Sequence, residues 1–312
     1  MVSDSSLQRF RADLDALMGS GPIGVAVSGG PDSLALLLLT AAARPGAVEA
    51  ATVDHQLRPE SGAEAGMVAE VCARLNVSHA VLAVSVPAGA SLQAQARSAR
   101  YAALEDWARS RHLHAIATAH HADDQAETLL MRLSRGAGLG GLAGVRASRL
   151  LGEVQLIRPL LGWRKRELEA IVADAGLEPL EDPSNQDKRH DRTQARQLLA
   201  AVPWLDPALI ARSAAHLEDA EEALQAVTTR LAAERLEFAD RRCRLDAADL
   251  PRELQRRLLL AAITRLDGPT PRGPDLDRAL GVLAQGGTCT LSGLKLEGGQ
   301  TWRLSPAPPR RA

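Results

Sequence analysis

Ser28-Gly29-Gly30-Pro31-Asp32-Ser33 lies where an apolar run, residues 23–27, gives way to a helix-like run, residues 34–43. A strand that ends in two glycines and then opens a helix makes an anion cradle. The glycines let the backbone turn sharply and approach a ligand closely. The first helical turn offers unpaired N–H groups and a partial positive charge. Ser28 and Ser33 add hydroxyl groups, and Pro31 suits the first helical position. A carboxylate at Asp32 repels phosphate, so its presence makes sense if it holds a magnesium ion that bridges to the phosphates.

The spacing excludes a Walker A loop, which needs a lysine before its Ser/Thr, and the dinucleotide pattern Gly-x-Gly-x-x-Gly. It resembles the pyrophosphate loop, Ser-Gly-Gly-x-Asp-Ser, of the ATP pyrophosphatases. That group splits ATP into AMP and pyrophosphate to adenylate an oxygen of a second substrate.

Outward from the loop, β-type runs at 23–28, 48–54, 79–86, 113–119 and 155–160 alternate with helical patterns at 33–43, 61–75, 91–110 and 123–133. Such alternation predicts a doubly wound, mostly parallel α/β sheet. Its ligand would lie beyond the carboxyl ends of the strands. The Ser28 loop, Val53-Asp54-His55 and Thr118-Ala119-His120-His121 all follow strand ends and would converge there. Five glycines between Arg135 and Gly144 read as a mobile loop, and helices follow at 163–174, 192–200 and 207–236. Past residue 238 the pattern changes to a β-run at 242–245, helices at 252–266 and 275–285, and a hairpin at 288–304. The expected organisation is a catalytic domain at 1–205, a helical linker at 206–236, a smaller α/β C-terminal domain at 237–304, and a disordered tail at 305–312.

Composition narrows the class. The 312 residues are 46% apolar with only 2% aromatic, so the cores must be built from Leu, Val and Ala. A net charge of −1 gives no global attraction to nucleic acid, leaving that task to a local basic patch. Cys72, Cys243 and Cys289 are scattered, which argues against a cysteine-ligated zinc or cluster and suits a reducing, cytoplasmic setting. The polar N-terminal stretch is not a signal peptide, and the apolar run 34–43 is too short for a membrane span.

The second chemistry-bearing segment is His120-His121-Ala122-Asp123-Asp124-Gln125-Ala126-Glu127-Thr128. Acidic residues here can cap a helix. Asp124 and Glu127 share a helical face, and carboxylates facing a phosphate crevice would bind magnesium or the amine of a substrate. Adjacent histidines point opposite ways, so one contacts nucleotide and the other packs. Val53 and His55 end the strand that usually meets adenine or ribose, or form a structural turn. Arg97 and Arg100 share a face and reach phosphate or stay solvated. Asp182 to Asp187 predicts a hydrogen-bonded turn. Arg192 and Arg196 beyond it could fork a phosphate or cap a surface helix.

Together these pieces resemble the bacterial tRNA(Ile)-lysidine synthetases. The resemblance is carried by 28–33, 53–61, 96–101, 118–128, Arg135-Gly136-Ala137-Gly138 with Gly141-Leu142, Arg158-Pro159-Leu160-Leu161 and 182–196, in the family order. It implies an adenine-nucleotide α-hydrolase-like fold in the short form with one C-terminal domain. ATP and Mg2+ would act on the wobble cytidine of a CAU-anticodon isoleucine tRNA. The cytidine O2 attacks the α-phosphate, pyrophosphate leaves, and the side-chain amine of L-lysine then attacks C2 and expels AMP. On this chain the resemblance gives Ser28, Gly29, Gly30, Pro31, Asp32, Ser33, Val53 and His55 to ATP, and Asp32 with Asp123 to magnesium. It gives Asp124 and Glu127 to the lysine ammonium and its proton, Arg97 and Arg100 to substrate, and Arg192 or Arg196 to the α-phosphate charge or the RNA. Arginines between 132 and 166 would form the RNA-backbone surface. A homodimer is an allowed assembly, and no membrane partner is expected. The chain departs from the family at Thr193, where asparagine is usual, and in the late placing of Pro203. A tRNA thiolase would need paired cysteines, and a nitrogen-transfer ligase lacks the Asp-Asp-Gln-x-Glu-Thr pattern. A non-catalytic nucleotide- or RNA-binding module is the rival from another class.

Overall fold

The structure, a computed structural model, describes residues 2–55, 61–85, 92–180 and 191–308. By its internal contacts the chain divides into two units, Met1–Glu218 and Asp219–Ala312.

The first unit runs α1 (Asp4–Asp15), β1 (Ile23–Ala26), α2 (Pro31–Ala43), β2 (Val48–Asp54), α3 (Ser61–Arg74), β3 (Ser78–Ala83), α4 (Leu92–Ser110), β4 (Ala115–Ala117), α5 (Ala122–Leu133), α6 (Leu139–Leu142), β5 (Ser148–Leu151), β6 (Val154–Ile157), α7 (Lys165–Asp174) and α8 (Asp191–Ala201), then the start of α9 (Pro207–Arg235). Its six strands are ordered β3-β2-β1-β4-β6-β5. All neighbours are parallel except β5, which pairs antiparallel with β6. Strands leave β1 in one direction through β2 and β3, and in the other through β4. The switch point, where an open α/β sheet binds ligands, therefore lies between the loops that follow β1 and β4.

Helices cover both faces because apolar side chains crowd both sides of each central strand. α2 is buried nearly all round, with Leu34, Leu36, Leu37 and Leu39 fully covered, as expected of a helix without a polar face. It packs with Phe10 and Leu14 of α1 and with Leu168 and Val172 of α7. On the other face Leu104 and Trp107 of α4 pack on Ile116 and Leu156. There a Cβ on Gly24 would stand 2.6 Å from the Trp107 ring.

β2 runs over the residues the pattern predicts, but β1, β4 and β6 end two or three residues early. Val27 and Thr118 each donate one more bond to a neighbouring strand, to Ala51 and Ile157, before the chain turns out of the sheet. The polar, amphipathic N-terminal stretch forms α1, which buries Phe10 and Leu14, and β5 is a further strand that the alternation did not mark. The glycine-rich 135–144 stretch is no free loop. It contains α6, Arg132 Nη1 donates to the Gly141 and Gly144 carbonyls at 2.6 and 2.8 Å, and the Gln125 amide pairs with both backbone groups of Val145.

The second unit holds the rest of α9, so the predicted linker helix is shared between the units. β7 (Leu236–Ala239), β8 (Arg242–Leu245), α10 (Arg252–Arg265), α11 (Gly273–Ala284), β9 (Thr288–Leu291), β10 (Leu294–Glu297) and β11 (Trp302–Pro306) follow. The sheet is antiparallel, ordered β7-β8-β11-β10-β9. Leu258 and Ile263 of α10 and Leu276 and Leu280 of α11 share a core with Leu245, Leu296 and Trp302. The predicted hairpin is thus a three-strand unit. β11 takes in Ser305 and Pro306, which the pattern assigned to the tail, while 309–312 lie outside the described residues. Among the described residues no helix is long and apolar enough to cross a membrane.

Two glycines test the packing. Gly24→Ala forces a methyl into Trp107 and Leu113 and should cost about 1–3 kcal/mol in urea unfolding. Gly66→Ala, in mid-α3 with nothing within 4 Å, should stabilise by about 0.5–1 kcal/mol.

Candidate active site

The loop after β1 is braced from inside. The Ser33 hydroxyl accepts from Ser28 N at 3.1 Å and from Ser28 Oγ at 3.2 Å, and donates to the Gly30 carbonyl at 3.0 Å. Ser33 is buried, and its hydroxyl is engaged within the loop, where it shapes the cradle. Gly29 has φ +85°, and its missing Cβ would meet Leu180 Cδ1 at 2.6 Å, so only glycine fits. Leu180 N also donates to the Gly29 carbonyl. At Gly30 the nearest atom to a Cβ is Ser28 Oγ at 3.8 Å, which leaves this face open for a ligand. Pro31 opens α2, and Asp32 stands in its first turn.

Across the switch point, the loop after β4 delivers His121, 4% exposed, into a ring of carboxylates. Its Nε2 is 3.4 Å from Asp32 Oδ2 and 3.5 Å from Asp124 Oδ2, and its Nδ1 is 3.7 Å from Asp123 Oδ2. Burial alone would lower the His121 pKa; the hydrogen bond to Asp32 and the charges of Asp124, Asp32 and Asp123 together raise it. Neighbouring His120 has the opposite setting. Burial, then Arg158, Arg100, Arg97 and Arg192, push it down to about 3, and Thr118 Oγ1 lies 3.2 Å from its Nδ1. The expectation that the two rings face different ways holds, but neither is merely packed.

The acidic residues divide as well. Asp123, expected to share magnesium with Asp32, accepts from Lys165 N at 2.8 Å and from Arg164 Nε at 3.3 Å. Asp32 and Asp124 lie toward one nitrogen of His121 and Asp123 toward the other, so Asp124, not Asp123, shares a side of the ring with Asp32. Asp124 also caps α5 by accepting from His121 N at 3.2 Å. Asp32 Oδ1 is buried with no hydrogen-bond partner, the state of an oxygen that awaits a cation or donor. Among the described residues no group of three or more His, Cys, Asp or Glu side chains is arranged for a metal.

Glu127 is buried, and α8 holds it. Arg196 Nε donates to Oε1 at 2.8 Å, and Arg192 Nε is 3.3 Å from Oε2. The Arg196 pKa is raised, first by the Glu127 hydrogen bond and further by the charges of Asp124 and Asp32. Arg196 is therefore the standing counter-ion of the acidic set, a role that spacing along the sequence could not reveal. Arg135 pairs with Asp191 at the start of α8. Beside Glu127 a cavity of about 390 Å³ is lined by Asp123, Arg164, Lys165, Arg166 and Arg196 among others. Arg164, expected on the RNA surface, spans Asp123 and Asp206 instead.

Val53 is half-buried against the α4 side of the sheet, and His55 follows β2. The His55 pKa is lowered by burial and then by Arg100. Arg97 and Arg100 stack over Tyr101 of their own helix. Positions 56–58 and the 182–187 turn lie outside the described residues.

Residues 3–202 match the PP-loop domain family. A tRNA(Ile)-lysidine synthase of Novosphingobium aromaticivorans is 50% identical over 97% of this chain and 94% of its own. One of Zymomonas mobilis subsp. mobilis is 44% identical over 94% and 90%. Among solved structures, the U34-tRNA thiolase NcsA of Methanococcus maripaludis shares the fold, with a TM-score of 0.57 at 17% identity over 69% of this chain and 78% of that one.

The two histidines make a pH test. A folded-state pKa raised above the ordinary histidine value of 6.5 means that His121 stabilises fully below about pH 6.5 and that this contribution fades as pH rises through the folded value. In metal-free buffer His121 should titrate above 6.5 by histidine NMR, while His120 stays neutral to below pH 4. The urea midpoint of the wild type should fall more between pH 6.5 and 9 than that of His121→Gln. Equal slopes would remove the assigned role of His121.

Proposed function

The chain belongs to the tRNA(Ile)-lysidine synthase family, and from that premise we propose that it ligates free L-lysine to C2 of the wobble cytidine of a CAU-anticodon isoleucine tRNA at the expense of ATP. The observation that carries the reading is the set of carboxylates facing the Gly29-Gly30 cradle across the switch point. One side suits a triphosphate and the other a cationic amine.

ATP is the energy source of a PP-loop enzyme. Its phosphates would lie on the backbone of Gly29 and Gly30 and the N-terminus of α2, with Ser28 at the rim and Val53 and His55 toward the nucleoside. Asp32, with Asp124 beside it, would hold Mg2+. The orphaned Asp32 Oδ1 fits such a hard cation, which needs only one or two protein carboxylates. When bound, that ion neutralises charge on the departing pyrophosphate.

In the first step the cytidine O2 bonds to the α-phosphorus, and the α–β bridging bond breaks. Arg192 and Arg196, held by Glu127, would meet the developing charge. In the second step the lysine Nζ bonds to C2, AMP leaves, and the amine proton passes to a carboxylate. Asp124, bonded to one backbone N–H, is less encumbered than Glu127 as acceptor. The cavity beside Glu127 supplies both charges a zwitterionic amino acid needs. The 237–304 module would contact the tRNA. With three free cysteines and a tRNA substrate, the enzyme would work in the cytoplasm. We leave a homodimer as the alternative to a monomer.

The direct test is incubation with labelled lysine, ATP and the CAU-anticodon transcript. The wild type should label the tRNA and release AMP, whereas a binding module would do neither. Asp32→Ala should abolish both products. Glu127→Gln should slow tRNA-dependent ATP–pyrophosphate exchange as well as lysine transfer, each by about 10²-fold, because it releases Arg196. Exchange at the wild-type rate would confine Glu127 to lysine handling.

A further inference from the structure

Four guanidiniums gather round one buried phenol beside His120. The Arg97 and Arg100 Cζ atoms lie 5.2 Å from the Tyr101 ring centroid and that of Arg149 4.8 Å. Arg97 Nη2 donates to the Tyr101 hydroxyl at 3.4 Å, and Arg158 lies close enough to act on its charge. Tyr101 is 7% exposed and Arg158 only 3%. Among the described residues no carboxylate pairs with any of the four. Beyond the phenol their acceptors are carbonyls, of Arg146 for Arg158 and of Leu150 for Arg149. Arg158 Nε is buried with no partner at all.

Such crowding is unfavourable as it stands. Four like charges make six mutually repelling pairs, which the cation–π contacts with one ring offset only in part. Buried charges are normally paired. The cluster is completed by an anion. Its place says which surface the anion comes from: Arg158 directly follows β6, and Arg100 acts on both His55 after β2 and His120 after β4. All three lie at the carboxyl edge of the sheet. Exposure is graded, with Arg97 open, Arg100 and Arg149 half-covered and Arg158 buried.

We propose that Tyr101 and Arg158 form the floor, and Arg97, Arg100 and Arg149 the walls, of a site that grips a phosphodiester of the RNA next to the reacting nucleotide. The site deepens the lysidine reading and rests on its RNA substrate. ATP is the other source of phosphate, but the Gly29-Gly30 cradle already serves its phosphates.

The test uses the full chain carrying Arg97→Gln and Arg149→Gln, both on the solvent side of the cluster. Affinity for the tRNA transcript is measured from 50 to 250 mM NaCl without ATP or lysine, and affinity for a fluorescent ATP analogue separately. The slope of log K against log salt should shrink by about 1, with tRNA affinity at 150 mM down about tenfold and nucleotide affinity unchanged. Arg149→Lys should keep the slope. An unchanged tRNA slope, with or without a loss of nucleotide affinity, overturns the proposal. If the double variant melts, Arg97→Gln alone at its exposed position carries the same test. Absence of lysidine synthesis in the wild type would sink the reading of function and leave this binding result standing.

Discussion

Three carboxylates share one buried imidazole, and the rest of the site answers that crowding. Asp32, in the first turn of α2, and Asp123 and Asp124, in the first turn of α5, converge on His121 from either side of the switch point. Like charges so close must be balanced. His121 supplies part of the balance, Arg164 neutralises Asp123, and Arg196 serves Glu127 with Asp124 and Asp32 nearby. Among the described residues the buried Oδ1 of Asp32 and Nδ1 of His121 stay without a hydrogen-bond partner. The site has room for one further positive charge at the place where phosphates would arrive. In the proposed cycle that need is met first by a metal ion and then by the substrate amine.

The positive half of the site lies one residue away in sequence. His120 and His121 leave β4 consecutively, and successive side chains of an extended chain point to opposite sides. One enters the acidic ring and the other the arginine cluster around Tyr101. A dipeptide thus marks the boundary between an acidic and a basic field, which is the arrangement a reaction between a cationic amine and a polyanionic RNA requires. Sheet topology makes this boundary possible, because the loops after β1, β2, β4 and β6 all emerge at the same edge.

Much of this was legible in the sequence. The glycine pair, the alternation of β and helical runs and the Asp-Asp-Gln-x-Glu-Thr run are local signals, and they located the fold and the crevice. Strand ends were overrun because Val27, Thr118 and Arg158 read as continued strand, while in three dimensions they begin the loops. The division of labour among the polar residues was not legible. Ser33 turned inward because the loop needs an internal acceptor for Ser28 N. Asp123 went to the N-terminus of α7, forty residues on, and Glu127 to the arginines of α8. Pairings between distant elements leave no periodic trace. The burial of Arg158 likewise leaves no mark in the local sequence.

A crystal structure with lysine, Mg2+ and a non-hydrolysable ATP analogue addresses the acidic ring and its cradle most directly. The account predicts phosphates on the Gly29 and Gly30 backbone, a cation touching Asp32 Oδ1, and the lysine ammonium beside Asp124 and Glu127. Phosphates bound away from that loop, or an Asp32 carboxylate that contacts neither metal nor ammonium, would contradict it.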